Sequence, residues 1–110
     1  MPAPPLILLS FDVEEFDLPL EYGQWIEPEE QIRVGREGTR RLLDLLRDEG
    51  VRCTLFTTAL FAEACPDLVR EAAHAGHEIA SHGLVHSGFE ASHLAASRAV
   101  LERVSGVPVT

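Results

Sequence analysis

The sequence predicts an α/β fold of repeated strand–helix units with parallel strands. Three observations carry that prediction. The chain opens with an unbroken apolar run, Leu6-Ile7-Leu8-Leu9, of the kind that forms a strand buried on both faces of a parallel sheet. Strand-like stretches then alternate with amphipathic helical ones. The side chains able to do chemistry gather where the first and third strands end, the side on which α/β folds collect ligands.

Strand one is expected over Leu6–Asp12. It runs into Asp12, Glu14, Glu15 and Asp17, four carboxylates within six residues. Side chains alternate along an extended chain, so Asp12 and Glu14 share a face while Val13 takes the other. Val13–Gln31 reads as an irregular acidic loop. Its Tyr22 and Trp25 are either a platform on which a sugar ring stacks or anchors holding the loop to the core.

A first helix is expected from about Arg36 to Asp48, with Leu42, Leu43, Leu45 and Leu46 as its apolar stripe and Gly50 as its left-handed stop. Val51–Thr57 is rich in β-branched and aromatic residues and forms strand two. Thr58–Ala64 is a short helical turn. Pro66 opens the next helix, and Asp67 places a negative charge near its positive end. That helix turns Leu68, Val69, Ala72 and Ala73 inward and stops at Gly76. Glu78–Ala80 is strand three, Ser81–Phe89 a loop, Ala91–Val104 the last helix, and Val107–Thr110 the opening of a fourth strand.

Composition narrows the class. The 110 residues fit one domain, 1–110, and a chain of this size buries roughly two-thirds of its surface. An apolar content of 45%, 25% charged residues and a mean hydropathy of +0.04 describe an ordinary globular protein. The net charge of −9 argues against nucleic acid and anionic membranes as partners, since both select basic patches. All the cationic side chains are arginine. Without lysine there is no Schiff-base chemistry and no Walker-type phosphate loop. Met1–Pro5 lacks the basic start of a signal peptide and no stretch approaches ~18 apolar residues, so a cytoplasmic chain is expected. Cys53 and Cys65, with no C-x-x-C spacing, read as buried reduced thiols.

A second chemical cluster follows strand three: Ser81-His82-Gly83-Leu84-Val85-His86-Ser87. Two histidines four apart at a strand's carboxyl end have metal-ligand spacing. If the strand ends share one rim, these imidazoles face the carboxylates of strand one. Two histidines and one carboxylate, with water in the open position, make a catalytic zinc arrangement. His74, His77 and His93 take structural roles, His77 at the far end of strand three from His82.

With those residues in place, the chain resembles the first part of a polysaccharide deacetylase of the NodB-homology type. The resemblance rests on Ser10-Phe11-Asp12-Val13-Glu14, on Cys53-Thr54-Leu55-Phe56-Thr57, and most specifically on Gly76-His77-Glu78-Ile79-Ala80-Ser81-His82-Gly83-Leu84-Val85-His86. It runs from about Leu6 to Val109. It implies about half of a distorted (β/α)7 barrel and a hydrolase that removes N- or O-acetyl groups from a carbohydrate. Asp12 matches the family's general base. A divalent metal, zinc by default, would be held by His82, His86 and a carboxylate. Relatives usually carry two adjacent aspartates here, whereas this chain reads Asp12-Val13-Glu14-Glu15. The carboxylate ligand is then Glu14, Glu15 or absent, and the shared strand face favours Glu14.

The family's later segments, among them the histidine that acts as general acid, have no counterpart before Thr110. The sequence therefore predicts a domain truncated before those motifs. Association with a second copy or a complementary C-terminal fragment is expected to cover the open strand edge. Two rival classes share parts of this pattern. A phospho-acceptor receiver domain fails for want of a lysine and of an aspartate after strand three. A half-barrel that binds metal or carbohydrate without catalysis stays open, separable from an enzyme by metal content and an assay on acetylated oligosaccharides.

Overall fold

The computed structural model describes residues 3–110. Three strands, β1 (Ser10–Val13), β2 (Thr54–Thr57) and β3 (Glu78–Ser81), pair in parallel in the order β1-β2-β3. The register sets Val13 beside Thr57 and Thr57 beside Ser81, so all three carboxyl ends finish level. Whatever follows each strand therefore meets on one rim. The helices are α1 (Leu18–Glu21), α2 (Pro28–Glu49), α3 (Ala59–Ala64), α4 (Pro66–His74) and α5 (Leu94–Ser105). A single 3-10 turn, Ala91–His93, leads into α5.

Strand alternation sorts the side chains. Val13, Leu55 and Ile79 join Leu43, Leu46, Phe61, Leu68, Val69 and Leu101 in one buried core. Asp12, Phe56 and Ala80 are register neighbours of the opposite parity and look the other way. Thr58 caps α3 by accepting the Phe61 N–H at 3.2 Å. Across the helix layer, Arg36 forks onto both oxygens of Asp67 at 3.0 and 2.5 Å and ties α2 to α4.

Cys53 and Cys65 are buried free thiols, and burial pushes both thiols above their usual range, away from reactivity. His77 is buried at the start of β3, where its Nδ1 accepts the Cys53 N–H at 3.2 Å. Among the described residues no helix is long and apolar enough to cross a membrane.

Several expectations need correction. Leu6, Ile7 and Leu8 are not a buried strand: they are 83, 78 and 84% exposed, and pairing with β2 begins only at Ser10. Among the described residues β1 is an edge strand, so nothing lies on its far side to cover the run. Strand two likewise begins at Thr54, not Val51. Val107–Thr110 forms no strand, although Val109 is buried and donates its N–H to Glu102 Oε1 at 3.1 Å.

The region Val13–Gln31 is also more ordered than a loop. It holds α1, and α2 starts at Pro28, eight residues before the expected Arg36. Proline at the first turn and Glu29 and Glu30 behind it are sound start signals. Gly35 and Gly38 mask them, because glycine costs a helix about 1 kcal/mol.

Gly35 has a tertiary reason. A side chain there would collide with the Glu14 carbonyl oxygen and come 3.3 Å from the Phe61 ring. The bare backbone lets α2 press against the end of β1. Gly35→Ala is expected to destabilise the chain by about 1–3 kcal/mol, because overpacking against a backbone carbonyl outweighs the gain in helix propensity. The urea midpoint measures it. An unchanged or raised midpoint would show that α2 is free to back away.

Candidate metal centre

The site is built from the rim. Asp12 lies within β1 and Glu14 one residue past its end, on the same parity. His82 follows β3, and its N–H donates to Thr57 O at 2.9 Å, extending the ladder by one rung. The loop then turns at Gly83, whose φ of +87° is in the left-handed region that glycine adopts without strain. Gly83 O accepts the Ala59 N–H and the Ser97 hydroxyl, each at 3.0 Å, and Leu84 O accepts the Leu60 N–H at 2.9 Å. The start of α3 and one side chain of α5 thus hold the loop that carries His86.

These constraints bring Glu14, His82 and His86 together. Glu14 Oε2 lies 2.7 Å from His82 Nε2 and 3.3 Å from His86 Nε2. The two imidazole centroids are 5.7 Å apart and tilted by 54°. Asp12 Oδ2 stands 3.8 Å from His82 Nε2, with its side chain 60% exposed. Glu15 is turned away from this point. It is buried, accepts the Thr58 hydroxyl at 2.9 Å, and accepts the His86 N–H at 2.5 Å. Of the two carboxylates left open by the sequence, only Glu14 faces the imidazoles.

The fit to a cation can be tested on these atoms alone. Glu14 Oε2 and His82 Nε2 are buried with no hydrogen-bond partner, short as their separation is. One ligand atom from each of Glu14, His82 and His86 falls within 4.8 Å of the others. A carboxylate oxygen and an imidazole nitrogen left without protein partners, with the second imidazole nitrogen 3.3 Å from that oxygen, are the atoms a divalent ion takes. The residues present fit such a group.

Electrostatics point the same way. Burial pushes the Glu14 carboxyl above its usual range, against the pull of His86 and His82. Burial alone would lower His86, but the Asp17 hydrogen bond and the charges of Glu14 and Asp17 hold it above the ordinary imidazole value. Burial would likewise raise Asp17, yet the Ser87 and His86 hydrogen bonds bring its carboxyl below the usual range.

Sequence reasoning singled out neither Asp17 nor Ser87. Asp17 Oδ1 meets His86 Nδ1, and Asp17 Oδ2 accepts the Ser87 hydroxyl. Tyr22 and Trp25 are 75 and 71% exposed, which rules out the anchoring alternative. Trp25 Nε1–H donates to Glu27 Oε1 at 2.7 Å, and neither ring lines the groove beside Asp12 and Glu14. That groove, about 330 Å³, is walled by Phe11, Phe16, Val34 and Leu42 over Gly35 and Gly38.

A parallel strand–helix array with carboxylates and imidazoles on one rim is the layout of an α/β-barrel domain. The chain belongs to the polysaccharide deacetylase family, whose model matches residues 3–107. A putative polysaccharide deacetylase from Mycobacterium smegmatis is similar at 27% identity and a TM-score of 0.69, over 98% of this chain and 46% of that one. A family 4 acetyl xylan esterase from Clostridium thermocellum, solved with a cobalt ion, shares the fold at 20% identity and a TM-score of 0.65, over 93% of this chain and 44% of that one. A CE4 family pseudoenzyme from Bacillus anthracis shares it at 18% identity and a TM-score of 0.59, over 66% of this chain and 28% of that one. The chain spans less than half the length of each.

Proposed function

We propose that residues 1–110 are part of one deacetylase domain and carry the metal-binding side of a hydrolase that removes N- or O-acetyl groups from a carbohydrate. The observation that supports it is the convergence of Glu14, His82 and His86 on one point beside Asp12. On this reading Glu14 Oε2 and the Nε2 atoms of His82 and His86 hold a divalent cation, zinc by default for two imidazoles and a carboxylate. Such an ion, when bound, polarises an acetyl carbonyl and lowers the pKa of water.

Asp12 is the general base. Its largely exposed carboxylate is free to take a proton from water directed at that carbonyl. Tyr22 and Trp25 offer exposed faces on which sugar rings stack.

The test pairs two measurements on the purified chain: zinc affinity by calorimetry, and acetate release from acetylated chito- and xylo-oligosaccharides. Where acetate is released without the family's later general-acid histidine, Asp12→Asn is expected to lower that turnover by ~10²–10⁴-fold while leaving zinc affinity nearly unchanged. Zinc binding without acetate release would make the chain a non-catalytic metal-binding module. No zinc binding would overturn the reading.

The exposed Leu6–Leu8 run beside an unpaired strand edge carries a second expectation. The chain is expected to associate through that edge, with a second copy or a complementary C-terminal fragment. Size-exclusion with light scattering should then show a species heavier than the 12.1 kDa of one chain. A monodisperse monomer would refute it.

A further inference from the structure

We propose that Asp17, steadied by Ser87, is the positioning residue that orients His86 toward the cation site and is not the cap of the helix it precedes. The proposal rests on the functional reading above and adds a residue to it.

Asp17 stands at the N-cap position of α1, ahead of Leu18 and Pro19, where an aspartate ordinarily accepts from the first free N–H groups of the helix. Here it makes no such bond: its side chain offers α1 nothing. The carboxylate is instead 5% exposed and committed elsewhere. Oδ1 faces His86 Nδ1, and Oδ2 accepts the Ser87 hydroxyl. A buried carboxylate that gives up a helix cap for a loop 69 residues away is held there by what it does to that loop.

What it does follows from proton placement. An ionised carboxylate only accepts hydrogen bonds, so the imidazole atom facing it carries the proton. With Nδ1–H on Asp17, a neutral His86 keeps its lone pair on Nε2, the atom that lies 3.3 Å from Glu14 Oε2. Ser87 occupies the second oxygen and so fixes the plane of the carboxylate. The His86 backbone is held independently, through its N–H to Glu15. Ring and backbone are thus constrained by different carboxylates, and only the ring constraint selects the tautomer. Outer partners of this kind typically govern metal affinity by ~10–100-fold.

The experiment uses the whole chain and zinc as probe. Two-bond ¹⁵N–¹H correlation spectra of the metal-free protein, recorded in alkaline buffer, report which His86 nitrogen is protonated. A His86→Gln variant assigns the signal. The wild-type ring is expected as the Nδ1–H tautomer, and Asp17→Asn is expected to shift it toward Nε2–H. By calorimetry Asp17→Asn should lose ~10–100-fold in zinc affinity, and Ser87→Ala a smaller part of that.

A helix cap would move neither readout. Should Asp17→Asn fail to fold, Ser87→Ala carries the same test with a single hydroxyl removed. An Nε2–H ring in the wild type, or zinc affinity unchanged in the variants, would overturn the proposal. His82→Ala separates the two claims, since it should abolish zinc binding yet leave the His86 tautomer intact. If the wild type binds no zinc, the functional reading fails, and the tautomer spectra still decide the role of Asp17.

Discussion

Glu14→Gln is expected to destroy zinc binding and leave the metal-free chain as stable as before, or more stable by up to about 1 kcal/mol. The two effects share a cause. Glu14 Oε2 is a buried carboxylate oxygen with no hydrogen-bond donor, and burial already disfavours its charge. In the metal-free protein its charge is a cost that the facing imidazoles offset only in part. An amide of the same shape removes the charge and offers an N–H to His82 Nε2.

Its loss should weaken zinc binding by at least the ~10–100-fold typical of a lost outer partner, and His82→Ala or His86→Ala by as much. Zinc affinity should also rise with pH. Glu14 and His86 both hold protons above their ordinary values, so protons compete with the metal until each pKa is passed.

Stability of the metal-free chain should run the other way at the alkaline end. The raised pKa of His86 contributes stability that is full below the ordinary imidazole value and lost as pH rises through the folded one. The depressed pKa of Asp17 contributes above the ordinary carboxylate range and is lost as pH falls through its folded value. Denaturation midpoints and zinc isotherms at matched pH check both signs. A Glu14→Gln chain that still binds zinc tightly would exclude Glu14 as ligand.

Glu15→Ala is expected to do the reverse, costing about 2–6 kcal/mol of stability. Glu15 is 3% exposed, and its two oxygens satisfy two different donors, the Thr58 hydroxyl and the His86 N–H. Truncation strands both, at about 1–3 kcal/mol each. Thr58 is also the cap of α3, so the damage reaches the helix start that holds Gly83 and Leu84.

Glu15→Gln keeps one accepting oxygen and should recover about half of the loss. Urea unfolding of the metal-free chain measures both. Neighbours in sequence, Glu14 and Glu15 would then separate cleanly, one dispensable for the fold and the other dispensable as a ligand. Equal loss of stability in the two variants would contradict the division of roles.

How much of this was legible beforehand depended on the range over which each signal acts. The ends of β1 and β3 and the His82–His86 spacing are local patterns, and alternation along an extended chain was enough to put Asp12 and Glu14 on one face. Helix α2 was half hidden because Gly35 answers to a contact with Glu14, not to its own helix. The exposed Leu6–Leu8 run shows the same limit from the other side. Hydropathy reports that a segment is fit to be buried, whereas burial of β1 depends on a neighbouring strand that sheet order alone supplies. Asp17 was visible as one more acid, but its work is done on a loop 69 residues downstream. Nothing in its neighbourhood distinguishes that from a helix cap.

The acidic end of β1 also bears on how the chain is made. Synthesis at ~5–20 residues per second delivers Leu6–Glu15 several seconds before β2 arrives to pair with it, and longer still before His82 and His86. During that interval an apolar stretch of four stands next to an unpaired strand, the composition from which intermolecular β-aggregates grow. Asp12, Glu14, Glu15 and Asp17 sit directly behind it, and their mutual repulsion makes them gatekeepers of the nascent strand. Asp12 and Glu14, proposed to serve the reaction, would thus first help to keep the newborn chain from its neighbours on the polysome. Neutralising them together would raise the yield of insoluble protein in addition to any loss at the site.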